Sequence, residues 1–169
     1  MNAKRLRSFV EEGGCAYISD LAFFQLDAAF PGVLKVECEG EECELSARVE
    51  DPELSAVIGE RVDVTFDLDS WAIIRSTEGL AAHGGRVLLR SASGGRYRDV
   101  PLMVSFSYGR GRVFYTSFHN HAQASERETV LLKLLLLKQI ATHEGGTVAD
   151  AGSLIGLNIA SLQKRFREG

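Results

Sequence analysis

Two histidines two residues apart, His119 and His121, close the segment Gly109-Arg110-Gly111-Arg112-Val113-Phe114-Tyr115-Thr116-Ser117-Phe118-His119-Asn120-His121. A glycine turn followed by an apolar run reads as a strand. A strand of an open α/β sheet that stops on polar residues is where such folds present a site. Residues two apart on extended chain point the same way, so the imidazoles have three possible uses. With a third ligand they could hold a divalent metal; alone they could move protons near neutral pH, or they could anchor a polar network at the strand end. The network asks for the least, and no metal or cofactor is expected.

Asp20 is the other residue that could do chemistry. It follows Ser19, both are good N-caps, and an apolar pattern at helical spacing comes next (Phe23, Leu26, Phe30). The preferred reading is a cap, in which the carboxylate accepts backbone N–H groups of the following turn; the competing one is a pocket carboxylate acting as base or nucleophile.

Other motifs carry less. Gly109-Arg110-Gly111-Arg112 lies between two apolar strands, without the helix N-terminus that lets glycine loops cradle phosphate, and reads as a hairpin turn. Cys38 and Cys43 bracket Glu39-Gly40-Glu41-Glu42, which reads as a turn that sets the two thiols across a hairpin. Further metal ligands are missing there, and three cysteines in all, an odd number, suit a reducing compartment better than a disulfide framework. Trp71, the only tryptophan, follows Asp67 and Asp69 and is expected to pack in a core or interface.

The elements that must position these residues follow from periodicity. A helix over 3–12, with Leu6, Phe9 and Val10 on one face, stops at Gly13-Gly14; a strand over 15–19, a tight turn and a helix over 21–30 come next. The middle is β-rich, with strands over 34–38, 43–49, 61–66, 71–75 and 86–91 and a helical turn near Pro52. Strands over 100–107 and 112–117 form the hairpin, a long apolar helix runs from Ser125 to about His143, and residues 146–169 make a helical extension.

At 169 residues, 45% hydrophobic and 25% charged, the chain suits one domain over 1–169. The net charge is -4, and basic residues cluster only at the two ends, so nucleic acid is not an expected partner. The longest apolar run, 130–137, is broken by Lys133 and falls well short of the roughly 20 residues that cross a bilayer. With no signal-peptide pattern at the N-terminus, a cytoplasmic protein is expected.

The order Phe9-Val10-Glu11-Glu12-Gly13-Gly14, strand, sharp turn, helix, followed much later by Gly109-Arg110-Gly111-Arg112-Val113, strand, Phe118-His119, resembles the class I glutamine amidotransferase-like superfamily. The resemblance covers residue 5 to about 140. It implies a nucleophile elbow at Ser19-Asp20-Leu21 and places His119 at the catalytic histidine. Active members carry a cysteine flanked by glycines at the elbow, whereas Asp20 stands there with Ser19 and Leu21 beside it. Cys15 lies five residues earlier, at the opposite end of the strand. Asn120 and His121 replace the proline and the orienting glutamate of the later motif.

The expected fold is therefore α/β: a mixed central sheet flanked by helices, similar to a flavodoxin-like amidotransferase fold truncated at the N-terminus, with a β-rich insertion. The expected function is that of a pseudoenzyme, a non-catalytic module of a bacterial assembly binding a protein partner, a further copy of itself or a small ligand. The alternative is a hydrolase or metal-dependent hydrolase using Asp20, His119 and His121. Missing first strands would also leave a sheet edge that another copy could cover.

Overall fold

In the computed structural model, the structure describes residues 2–118, 134, 137–138, 141, 145–154 and 158–168. Leu6 and Val10, one turn apart, bury one face of α1 (Ala3–Glu11), whose first turn is capped by the Asn2 side chain accepting the Arg5 N–H at 2.9 Å. Gly13, at φ 116, ends it and delivers the chain to β1 (Cys15–Ser19). A 3-10 turn (Asp20–Ala22) leads into α2 (Phe23–Ala29). The later elements are β2 (Lys35–Cys38), β3 (Cys43–Val49), α3 (Pro52–Ile58), β4 (Arg61–Phe66), β5 (Ala72–Ser76), β6 (Arg86–Ser91), β7 (Pro101–Tyr108), β8 (Gly111–Thr116), α4 (Val148–Leu154) and α5 (Ile159–Glu168). Leu134, Leu137, Lys138 and Ala141 are also helical.

Six strands form one mixed sheet in the order β1-β8-β7-β6-β3-β4, in which β1 and β8 are parallel and the remaining neighbours antiparallel. Among the described residues β1 and β4 are its edges. Alternation along β8 divides the core in two. Val113 and Tyr115 pack with Leu6, Val10 and Leu26 under α1 and α2, and Phe114 packs on the other face with Met103, Leu134 and Leu137. The expected α/β class with a mixed sheet is what the chain forms, and the Gly109-Arg110-Gly111 segment joins β7 and β8 as a hairpin turn. No helix among the described residues is long and apolar enough to cross a membrane.

The hairpin expected around Cys38 and Cys43 does not form. β2 pairs with β5 in a separate antiparallel ribbon, and β3 pairs with β4 and β6. Trp71 is the reason: 1% exposed and stacked on Phe66 at 3.8 Å, it donates its indole N–H to the Glu41 carbonyl at 2.8 Å. Gly40 passes so close that a Cβ there would lie 2.3 Å from the indole ring. The segment wraps the tryptophan and crosses between sheets. The three cysteines are free thiols.

A buried ion pair ties the helical residue Lys138 to the start of α3. The Lys138 ammonium lies 2.8 Å from Asp51 Oδ1 and 2.6 Å from Glu53 Oε2, and the same Asp51 oxygen caps α3 by accepting the Leu54 N–H at 3.0 Å.

Candidate functional site

β1 ends at Ser19, and the next residue leaves the extended region: Asp20 has φ 44, in the left-handed region that Asp tolerates better than most residues. Strand, one left-handed residue, helical turn is the backbone shape of a nucleophile elbow. The side chain at that elbow is not turned to solvent. Asp20 is 4% exposed, and its Oδ1 accepts the Ala72 N–H at 3.1 Å, the first amide of β5.

This corrects the expected cap. Neither the 3-10 turn nor α2 has a side-chain N-cap, and the Asp20 carboxylate instead joins the turn to the β2–β5 ribbon lying over it. The physical reason is the left-handed backbone, which a capping residue, with its extended backbone, does not adopt.

Tyr115, in register beside Ile18 on the parallel partner strand, completes the arrangement, its hydroxyl donating to the Asp20 carbonyl at 3.0 Å. Burial pushes the phenol far above the usual tyrosine range, and the nearby charges of Asp20 and then Cys38 add to the shift. The group is a fixed donor at any ordinary pH. One residue along, the Thr116 hydroxyl lies 3.0 Å from the Tyr17 hydroxyl and donates to the Phe118 carbonyl at 2.7 Å. Cys38 approaches from β2, with its sulfur 3.0 Å from the Ser70 hydroxyl.

Asp20 is thus seated at the carboxyl end of the parallel pair. His119 and His121 lie outside the described residues. Among the described residues no three His, Cys, Asp or Glu side chains gather as a metal would require. Cys15 occupies the far end of β1 from the elbow. Reading the sequence missed Tyr115 and the Ala72 amide. A buried tyrosine on the strand parallel to β1 was the available signal for the first; the second depends on a β2–β5 pairing that no local pattern announces.

No protein-family model and no curated protein matches the chain. Among solved structures, a ThuA-like protein from Bacteroides uniformis aligns over 86% of this chain and 66% of its own, at 13% identity and TM-score 0.51. A ThuA-like protein from Parabacteroides merdae aligns over 73% and 56%, at 16% identity and TM-score 0.46. A β-galactosidase from Rahnella sp. R3 aligns over 72% of this chain at 14% identity and TM-score 0.48, and the chain spans 18% of that enzyme. ThuA-like proteins have a class I glutamine amidotransferase-like fold, and the likeness to the Bacteroides uniformis protein is a likeness of fold.

Proposed function

We propose that this chain is a non-catalytic module built on an amidotransferase-like fold, with its β-rich middle as an insertion, and that it works by binding a protein partner or a ligand. The observation that carries the reading is the Asp20 carboxylate. It stands at the elbow in place of a thiol, is 4% exposed, and accepts a backbone N–H from β5. A nucleophile needs a side chain open to substrate; the Asp20 carboxylate is buried and holds a backbone amide of β5. The partner we favour is a further copy of the chain. Among the described residues β1 is a sheet edge, and the turn and the helix after it carry Leu21 and Phe24, 45% and 67% exposed.

The hydrolase reading draws support from the left-handed elbow backbone at Asp20. One experiment separates the two: glutamine and short-chain nitrophenyl esters are incubated with the protein and with Asp20→Asn. No release of ammonia or nitrophenolate above the variant is expected, whereas turnover that disappears in a folded Asp20→Asn protein would overturn the reading. Light scattering across a concentration series tests self-association, and a mass that stays monomeric throughout removes the further copy as partner.

A further inference from the structure

The opposite end of the same strands is built differently. Cys15 opens β1 in register with Arg112 on β8, and Arg112 is in register with Ser107 on β7, so the three side chains form a row on one face of the sheet. Arg86 opens β6 opposite Ser105, two residues from Ser107 and on the same face. With Arg110 and the main chain of Gly13, Gly109 and Gly111, the row lines an open pocket of about 160 Å³. The glycines let the hairpin lie against the end of α1. A Cβ on Gly111 would stand 2.1 Å from the Val10 carbonyl oxygen and 2.2 Å from that of Gly14, and the Glu11 carbonyl accepts the Arg110 N–H at 3.1 Å.

Arg112 is half-buried. Its guanidinium donates to the Ser107 hydroxyl at 3.2 Å and makes no ion pair among the described residues. A guanidinium has five N–H donors, so most of its capacity faces the pocket unused. Burial first, and then the positive charge of Arg86, hold its pKa below the usual arginine range. Among the described residues Arg86 pairs with Asp51, its guanidinium 3.8 Å from Oδ2, the oxygen that Lys138 does not hold, so the counter-charge on this side of the pocket serves Arg86 and not Arg112. The Cys15 thiol is pushed up by its burial, against the pull of Arg112, and stays neutral at ordinary pH. A partly desolvated cation with a like-charged neighbour and no counter-ion is costly, and a bound anion offsets that cost.

We propose that this pocket binds a small oxyanion, the phosphate or carboxylate group of a ligand, on the Arg112 guanidinium. Ser107 orients the guanidinium, Arg110 stands exposed at the mouth and Cys15 forms one wall. Guanidinium pairs with both oxyanions through two parallel N–H···O bonds, which a planar fork on a sheet surface can present. The pocket lies at the other end of β1 from Asp20, so it stands or falls independently of the reading of the elbow.

The thiol in the wall supplies the test. Full-length protein is alkylated with iodoacetamide at fixed ionic strength in chloride, inorganic phosphate or acetate, and the rate at each cysteine is followed by peptide mass spectrometry. Phosphate, acetate or both should slow Cys15 several-fold relative to chloride while the exposed Cys38 keeps its rate, and the more protective anion names the ligand class. Folded Arg112→Gln should lose the protection, and Arg112→Lys, which keeps the charge but not the fork, should retain part of it. Equal Cys15 rates in all three salts overturn the proposal, as does equal slowing of Cys38 or protection that survives in folded Arg112→Gln. The comparison of salts on the unmodified protein decides the matter even where a variant does not fold.

Discussion

Asp20 and Arg112 sit at opposite ends of the one parallel strand pair, and their charges are settled in opposite ways. At the carboxyl end the Asp20 carboxylate is buried, with one oxygen on the Ala72 N–H, and the main-chain carbonyl of the same residue accepts from the Tyr115 hydroxyl. At the amino end the guanidinium is half-buried with one hydroxyl as hydrogen-bond partner, beside a second arginine and above an open pocket. The first arrangement holds ribbon to sheet. The second leaves donors for something that is not part of the chain. On the readings proposed above, the end that resembles an active site serves structure and the opposite end binds.

Breaking the carboxyl end should cost stability, beginning with its support. Trp71→Ala removes the side chain that the chain before β3 wraps and that leads into Ala72, and should cost about 3–5 kcal/mol in urea unfolding, as large aromatic truncations do. Asp20→Ala leaves the buried Ala72 N–H without its acceptor and should cost about 1–3 kcal/mol. Asp20→Asn should cost clearly less, because its amide oxygen still accepts and Asn tolerates the left-handed backbone. An Asn variant as unstable as the Ala one would mean that charge rather than hydrogen bonding holds the clamp.

Tyr115→Phe should cost about 1 kcal/mol near neutral pH, for one neutral hydrogen bond. Its sharper signature is alkaline. The folded state keeps this phenol protonated, and the unfolded chain releases the proton above the ordinary tyrosine pKa of about 10, so Tyr115 lowers stability as pH rises past that value. The slope from this one group approaches about 1.4 kcal/mol per pH unit, and denaturant titrations above pH 10 should show a shallower decline in Tyr115→Phe.

The smallest effect belongs to the open end. Arg112→Gln removes a cation that the fold leaves uncompensated and should change stability by no more than about 0.5 kcal/mol. A loss of several kcal/mol, measured by the same unfolding curves, would show that Arg112 holds the sheet together and would erase the contrast between the two ends.

Much of this was legible in the residues. Leu6 and Val10 one turn apart, the Gly13-Gly14 stop, the 15–19 strand and the Gly109–Gly111 hairpin all follow from patterns only a few residues long, and the structure has them. Asp20 was found as a position but misread in its partner. A cap follows from the residues just after Asp20, whereas the bond its carboxylate makes comes from an amide 52 residues away. The same gap in reach explains the false hairpin at Cys38 and Cys43: a polar run with one glycine looks like a tight turn until a tryptophan 31 residues beyond Gly40 fills its inside. Arg112 was visible only as part of a turn.

The sequence by itself determined the elements, the apolar alternation that splits the core into two layers along β8, and that an aspartate rather than a cysteine follows β1. Those depend on residue type and on spacing within one helix or strand. Tertiary structure alone decided that β2 joins β5, that Asp20 clamps the ribbon, and that Cys15, Arg112 and Ser107 line up across three strands into a pocket. The physical reason is that a charged side chain takes its meaning from what desolvates and pairs it, and here those neighbours come from distant chain segments.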